Sequence, residues 1–318
     1  MSVTIPIYRY ESGEEDDAMS STTSLSSAIT AYRYENGRRY HAYKEGEYWG
    51  PNDDIQNGQL NVAHHLISLL MDGKLLLAPI KPDIERALDV GTGTGMWAVD
   101  FADEHPNTTV IGTDLSPIQP NFTPPNCRFE VDDACAEWAF PFNHFDLVHI
   151  RCMYGCVPDW VEFYKKVYKH LKPGAYIDQF EFSIQFKSDD GTVTKDHVLS
   201  RWSSIFYEAA DKFGKTFRTC EEAKGNLEKA GFVDVTEQRY KIPLGGWSSD
   251  PRLKELGKWN YVHCDQGIEG WAMALLTRVM KWSFEEVQAF LGEVRAAMKD
   301  KKLHAYFEGS AVYGRKPS

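Results

Sequence analysis

The sequence has few of the features that mark secreted, membrane-spanning or nucleic-acid-binding proteins. Six cysteines among 318 residues form no C-x-x-C pair and no dense disulfide pattern, so we expect reduced thiols. No apolar run at the amino terminus has signal-peptide length, and none elsewhere approaches membrane-spanning length. A formal net charge of -11 disfavours nucleic acid as a partner. We therefore expect a soluble protein that contacts no membrane and stays in the cytoplasm or the nucleus.

Apolar content divides the chain into a tail and one large domain. Residues 1–28 are rich in acids, serine and threonine, and they are predicted to be a disordered tail. The 42% apolar and 13% aromatic content is enough for a substantial core, which we assign to 29–318. The predicted parts of this domain are an N-terminal lid at 29–80 with a helix over 61–77, a core at 81–242 and 303–318, and a helical cap at 243–302 inserted before the last strand.

A glycine-rich loop is the strongest motif of the sequence. An apolar run ends in Asp89-Val90-Gly91-Thr92-Gly93-Thr94-Gly95, and an apolar, helix-compatible stretch follows. This pattern predicts a strand, a tight turn and a helix N-terminus whose free N–H groups face a polar ligand. A dinucleotide site would need its third glycine at position 96, which is Met96. The acid before the first glycine suits the ammonium of an amino-acid moiety instead. A tight turn without a ligand remains open on spacing alone.

Further polar residues follow the next predicted strands. Asp114 closes the second strand, where an acid can accept from both ribose hydroxyls. Asp133 follows the third strand and can accept from an adenine amine, and Arg151 ends the fourth. Strands that alternate with helices predict a doubly wound, mostly parallel sheet with its ligand crevice at the carboxyl ends of the strands. An ammonium, a ribose and an adenine in this order indicate S-adenosyl-L-methionine.

These motifs resemble those of the class I S-adenosylmethionine-dependent methyltransferases, in which Leu88–Met96 is similar to motif I. A narrower resemblance is to the fungal LaeA-like (UMTA-type) group, from about residue 30 to the C-terminus. The segments that carry it are Tyr40-His41-x-Tyr43-x-x-Gly46-x-Tyr48-x-x-Pro51-Asn52-Asp53, Val131-Asp132-Asp133-Ala134, His149-x-Arg151, Asp159-Trp160 and Leu171-Lys172-Pro173-Gly174. The resemblance implies a seven-stranded Rossmann-like sheet with an antiparallel last strand, and a role in fungal secondary metabolism.

The motifs and the resemblance together give a set of cofactor-binding candidates. They are Tyr40, Asp89, Gly91, Thr92, Gly93, Gly95, Asp114, Leu115, Asp132, Asp133, Ala134 and Arg151. Two functions stay open for such a protein. One is an enzyme that methylates an O or N of a small molecule, and we favour it because the aromatic cap suits a small substrate. The alternative is a regulator of secondary metabolism that binds the cofactor and acts through protein partners.

Methyl transfer needs alignment and exclusion of water, and it needs a base only where the acceptor must lose a proton. The catalytic candidates are His149, Arg151, Tyr154 and Glu181, with Asp178 also near the strand ends. Each has a structural alternative, such as a pair between Glu181 and Arg151. The candidates for facing the substrate are His64, His65, Trp247, Tyr261 and Trp271. No metal site is predicted, because histidines and acids show no ligand spacing.

Overall fold

The computed structural model describes residues 31–44 and 46–318, so the tail predicted at 1–28 lies outside the described residues. The strands are β1 (Arg33–Glu35), β2 (Arg38–Tyr40), β3 (Arg86–Val90), β4 (Thr109–Asp114), β5 (Cys127–Val131), β6 (Phe145–Arg151), β7 (Leu171–Phe182), β8 (Val233–Pro243) and β9 (Tyr306–Arg315). The helices are α1 (Asp54–Leu70), α2 (Met96–Glu104), α3 (Trp160–His170), α4 (Val198–Phe213), α5 (Thr219–Lys229), α6 (Pro251–Ala274) and α7 (Phe284–Met298).

The central sheet has seven strands in the order β5-β4-β3-β6-β7-β9-β8. The five strands from β5 to β7 are parallel, and β9 runs antiparallel between β7 and β8. The predicted mostly parallel sheet with an antiparallel last strand is confirmed. The strand order reverses between β3 and β6, and ligands of such sheets bind outside the carboxyl ends at this point. The loops after β3 and β6 therefore define where the site must lie.

Helix α1 begins earlier than its apolar periodicity predicts. Asp53 caps it, because a side-chain oxygen of Asp53 accepts from the backbone N–H of Gln56. The helix thus covers 54–70, and the predicted span of 61–77 is wrong at both ends. The apolar residues after Leu70 belong instead to a linker that packs on the sheet. Asp178 anchors this linker, accepting from the backbone N–H groups of Leu77 and Ala78 at 2.9 and 2.8 Å.

The amino-terminal segment contains a short hairpin that the sequence analysis did not predict. Strands β1 and β2 pair antiparallel around Asn36-Gly37, whose φ angles are 50° and 74°. An Asn-Gly pair is the dipeptide most typical of two-residue hairpin turns, so the signal was present. The guanidinium of Arg278 holds the hairpin in place: it pairs with Glu35 at 2.7 Å and lies 4.4 Å from the ring centroid of Tyr40.

Helices α1 and α6 pack against each other and against one face of the sheet. Leu66 and Ile67 of α1 share a buried cluster with Ile268 and Met273 of α6 and with Phe180 of β7. Helix α6 continues into a π-helical turn at 275–279 before α7 begins. The predicted lid, which contains α1, and the predicted cap, which contains α6, thereby lie next to the crevice. Their division into lid and cap stays a prediction. No helix of the described residues has the length and apolar character needed to cross a membrane.

Candidate active site

The glycine-rich loop joins β3 to α2, and the carboxylate of Asp114 holds its backbone in place. Gly91 has a φ of 69°, and a Cβ there would lie 2.7 Å from the sulfur of Met153, so a side chain at this position would be strained. Asp114, at the end of β4, accepts from the backbone N–H groups of Gly93 and Ser116, each at 2.9 Å. The loop and the end of β4 therefore form one rigid unit.

Asp89 and His149 form a buried pair on neighbouring strands. Oδ1 of Asp89 lies 2.7 Å from Nδ1 of His149, and Oδ2 accepts from the hydroxyl of Thr92 at 2.5 Å. The imidazole stacks on the Trp97 ring with centroids 3.6 Å apart. Burial lowers the pKa of His149 to about 4, so the ring is neutral at pH 7 and its Nδ1–H donates to Asp89. Nε2 of His149 is buried and has no partner among the described residues.

A first cavity, which we call the cofactor cavity, lies over the loop and the ends of β4 and β5. Asp114 stands in its wall, and desolvation there raises the pKa of this carboxyl to about 6. Predicted cofactor residues that line it are Gly91, Gly93, Asp114, Leu115, Asp132, Asp133, Ala134 and Arg151. The amino-terminal segment covers it with Glu47, Tyr48, Pro51 and Asn52, and Lys215 also lines it.

A second cavity, the middle cavity, continues from the first past Gly91, Gly93 and Arg151. It is lined by Asp89, Thr92, His149 and Tyr154 of the predicted set, by His64 and by Trp271. Both ring nitrogens of His64 are engaged: Nε2 lies 2.9 Å from Asp100, and Nδ1 lies 3.1 Å from a guanidinium nitrogen of Arg151. The two cavities therefore form one continuous space that runs along the carboxyl ends of β4, β3 and β6.

A third cavity, the aromatic chamber, opens from the middle cavity and shares five of its residues. The shared residues are Trp49, Tyr154, Phe182, His263 and Trp271. The remaining walls include Ile184, Phe186, Trp202, Phe206, Phe217, Cys264 and Phe307. Its empty space is about 430 Å³, a volume that includes the open mouth. The chamber lies between β7, α4 and α6.

A glycine shapes the wall where the middle cavity meets the chamber. Gly155 has a φ of 72°, and a Cβ there would lie 1.8 Å from the Phe217 ring and 2.6 Å from Nε1 of Trp49. The Trp49 ring thus packs closely against Phe217 and Tyr154, with centroid distances of 5.3 and 6.0 Å. The amino-terminal segment is in this way built into the site through Trp49.

Several predicted site residues lie away from the three cavities. Tyr40 is buried under Arg278, and burial raises the pKa of its phenol to about 12, so its part is to dock the hairpin. Gly95 starts α2 and packs on the Phe129 ring, away from the cavities. Glu181 accepts from the backbone N–H groups of Met153 and Tyr154 at 3.0 and 3.2 Å. It therefore supports the loop after β6, and the pair with Arg151 that was its structural alternative does not form.

Three of the five predicted substrate residues also lie elsewhere. Trp247 donates its indole N–H to the carbonyl of Ala305 and stays on the surface, because this bond holds it at the base of the cap. His65 is exposed and packs edge-on against Trp259. Tyr261 is partly buried against the apolar cluster and lines none of the cavities. His64 and Trp271 are the two members of this set that the structure brings to the cavities.

The sequence analysis missed three polar residues of the site. Gln59 and His263 meet across α1 and α6, with Nε2 of Gln59 2.7 Å from Nδ1 of His263. Lys215 follows α4 and pairs with Glu47 at 2.7 Å. Each contact joins residues more than 160 positions apart, so no local pattern pointed to them. Groups of three or more His, Cys, Asp or Glu suited to a metal ion do not occur within the described residues.

The residues that line the first two cavities fit S-adenosyl-L-methionine. The loop brings backbone close to the cavity where a side chain would clash, and acids stand at the ammonium and ribose positions that the strand ends predict. The donor set has no cluster of cations that would favour a pyrophosphate. The lining residues and the fold thus favour a nucleoside that carries an amino-acid group over a dinucleotide.

Comparison with known proteins supports the same conclusion. The methyltransferase domain family matches residues 62–237. Methyltransferase pytC of Aspergillus terreus is 38% identical over 302 residues, which cover 95% of this chain and 93% of pytC. Secondary metabolism regulator LAE1 of Cochliobolus heterostrophus is 35% identical over 278 residues, covering 86% and 91%. Protein-methionine methyltransferase laeA of Emericella nidulans is 30% identical over 302 residues, covering 94% and 80%.

Solved structures agree on the fold. Haemonchus contortus phosphoethanolamine N-methyltransferase 2 in complex with S-adenosyl-L-methionine has a TM-score of 0.50 at 15% identity, covering 95% of this chain and 75% of that one. The resemblance that the motifs carry is thus confirmed. The chain belongs to the class I S-adenosylmethionine-dependent methyltransferases, in the family of fungal secondary metabolism that contains pytC and the LaeA regulators, and its cofactor is S-adenosyl-L-methionine.

Proposed function

We propose that the protein transfers a methyl group to an oxygen or nitrogen of a small, planar, largely apolar molecule held in the aromatic chamber. The observation that carries this proposal is the chamber itself. It opens from the middle cavity, and rings of Trp49, Phe182 and Phe217 line it. Aromatic walls stack on planar ligands and exclude water.

The cofactor supplies a methyl group on a positively charged sulfur. We assign its binding to the residues of the first two cavities, with Asp114 accepting from the ribose hydroxyls and Asp89 facing the ammonium. Charge on the sulfur disappears during the displacement, so the chain contributes mainly alignment and exclusion of water. Trp49 and Tyr154 contact both the cofactor and the acceptor in this proposal, because each lines the middle cavity and the chamber.

The predicted catalytic residues suit this role better than that of a strong base. His149 is neutral and buried, and its Nδ1–H is used by Asp89. Burial raises the pKa of Tyr154 well above its usual range, so its phenol keeps its proton at pH 7. Arg151 fixes His64 and the linker, since its guanidinium also donates to the carbonyl of Leu75 at 3.3 Å. We propose that these residues position the reactants.

The test uses cofactor with a labelled methyl group, an extract of small molecules from the source cell, and a panel of phenols and aromatic amines. We expect label in the small-molecule fraction. Ile184→Trp, which fills the chamber, is expected to abolish transfer and to preserve cofactor binding. Asp114→Ala serves as the variant impaired in cofactor binding. Transfer that persists in Ile184→Trp would contradict the chamber as the acceptor site.

A second candidate function comes from the relatives named as regulators of secondary metabolism. In that case the protein binds the cofactor and acts through protein partners. The same labelling experiment separates the two, because label in a co-purifying protein and none in small molecules favours the regulator. A location in the cytoplasm or nucleus is part of both proposals. It accords with the six free thiols of the described residues, and imaging of a fluorescent fusion tests it.

A further inference from the structure

His263 is the one ionisable side chain of α6 that lines both the middle cavity and the aromatic chamber. Its side chain is buried, with 3% of its surface exposed. Aromatic rings flank it, since the ring centroids of Trp271 and Phe182 lie 5.1 and 5.2 Å from that of the imidazole. The imidazole therefore stands at the junction between the space assigned to the cofactor and the space assigned to the acceptor.

A chain of hydrogen bonds from α1 fixes the orientation of His263. Nε2 of Gln56 donates to Oε1 of Gln59 at 2.6 Å, and Nε2 of Gln59 lies 2.7 Å from Nδ1 of His263. An amide nitrogen can only donate, so Nδ1 of His263 is the acceptor. All three side chains are buried, which leaves no solvent to compete for these bonds.

The proton of the imidazole must then be on its other nitrogen. Burial lowers the pKa of His263 to about 3, so the ring is neutral and carries a single proton at pH 7. Because Nδ1 accepts, that proton is on Nε2. Within the described part of the chain, Nε2 of His263 has no hydrogen-bond partner. An unpaired donor on a side chain that lines an apolar chamber is a place for a ligand oxygen.

We propose that His263 is a substrate-binding residue whose Nε2–H donates a hydrogen bond to an oxygen of the methyl acceptor. This donor selects planar acceptors that carry a carbonyl or an ionised hydroxyl, such as an acidic phenol bound as its phenolate. The proposal rests on the proposed function, because the chamber must hold the acceptor. In the transfer, the ionised oxygen forms a bond to the methyl carbon, and the S–CH₃ bond breaks with its electron pair moving to sulfur. The acceptor has lost its proton to solvent beforehand.

The tautomer of His263 is tested without any substrate. The full-length protein with bound S-adenosylhomocysteine is labelled with ¹⁵N-histidine, and His263→Phe identifies the signals of this ring by their loss. We expect a neutral ring with the proton on Nε2 at pH 7. Gln59→Glu is expected to move the proton to Nδ1, because a carboxylate accepts from that nitrogen. A wild-type ring with its proton on Nδ1, or a charged ring, would overturn the proposal.

The selectivity is tested with two probes on the same complex, 4-nitrophenolate and 4-nitroanisole. They share the ring and the nitro group, and the first alone has a charged oxygen. We expect His263→Phe to weaken binding of the phenolate roughly tenfold to a hundredfold, the scale of a hydrogen bond to a charged group. Binding of the anisole should change little. His263→Gln keeps an N–H donor and is expected to restore part of the difference.

Ile184→Trp separates failure of this inference from failure of the proposed function. If both probes still bind when the chamber is filled, the chamber is not the acceptor site, and the proposed function fails whatever the tautomer of His263. If filling the chamber abolishes binding and His263→Phe leaves the ratio of the two affinities unchanged, the role of His263 alone is wrong. No binding of either probe to the wild type also counts against the acceptor class. Thermal unfolding of each variant checks that it is folded.

Discussion

Asp89 and His149 share a hydrogen bond of 2.7 Å between neighbouring strands, and each side chain is almost completely buried. The bond would survive Asp89→Asn, because an amide oxygen can still accept from Nδ1–H of His149. The change removes the negative charge that faces the middle cavity, and an amide N–H that donates to the Thr92 hydroxyl replaces the oxygen that accepted from it. The pair thus allows the charge to be tested with the bond between the two strands intact.

We expect Asp89→Asn to weaken S-adenosyl-L-methionine binding roughly tenfold to a hundredfold, because the ammonium loses its charged partner. Calorimetry measures this affinity. The control ligand is 5′-methylthioadenosine, which has the ribose and adenine but no amino-acid group, and its affinity should be unchanged. Equal losses for the two ligands would mean that Asp89 supports the loop as a whole.

Asp114→Ala should weaken both ligands, because both have the ribose. The expected loss is about 1.5–3 kcal/mol, the range for hydrogen bonds that involve a charged group. The same calorimetric titrations check it, with the unfolding temperature as the control for folding. Unchanged affinity in a folded protein would refute the assignment of Asp114 to the ribose.

Cofactor affinity should depend on pH through the same carboxyl. Desolvation raises the pKa of Asp114 from its ordinary 3.8 to about 6 in the free protein, and the ionised form is the one that accepts two hydroxyls. Affinity should therefore fall as pH decreases from 7 to 5, approaching tenfold per unit below the pKa. The raised pKa means that protonation of Asp114 favours the folded state, so unfolding through this group does not explain the loss. Asp114→Asn should bind weakly at every pH in this range; a wild-type slope in that variant would contradict the prediction.

Closure over the cofactor cavity should depend on Lys215. Its ammonium donates to both the carbonyl and the carboxylate of Glu47, and it is only 9% exposed. Lys215→Met should release the segment that carries Tyr48 and speed cofactor dissociation in stopped-flow measurements. Hydrogen exchange over residues 46–60, with and without S-adenosylhomocysteine, reports the same change.

Lys212→Met is the matched control. Lys212 lies near the end of α4 and forms an exposed pair with Glu208 of that helix. Exposed pairs of this kind contribute little. Equal dissociation rates in the two variants would mean that Glu47 and Lys215 do not hold the segment closed.

The sequence predicted the parts of the site that local order determines. Asp114 ends one strand and Asp133 follows another, and the carboxyl ends of parallel strands lie at one edge of a sheet. The fold class alone therefore predicted that both residues would line one cavity. Contacts between distant helices could not be predicted in this way. His263 reaches the site because α6 packs on α1. The position of Trp247 depends likewise on a distant partner, the carbonyl of Ala305, which no local pattern indicates.

The aromatic chamber draws many of its walls from outside the span that the methyltransferase domain family matches. That span is 62–237, whereas Trp49, His263, Trp271 and Phe307 lie before or after it. The glycine-rich loop and the acids of the cofactor cavity lie within it. Five of the thirteen residues that line the chamber therefore come from stretches that flank the matched span, and eight lie within it. Under the proposed function, substitutions at the five flanking positions would reshape the acceptor site and leave the glycine-rich loop and the acids of the cofactor cavity unchanged.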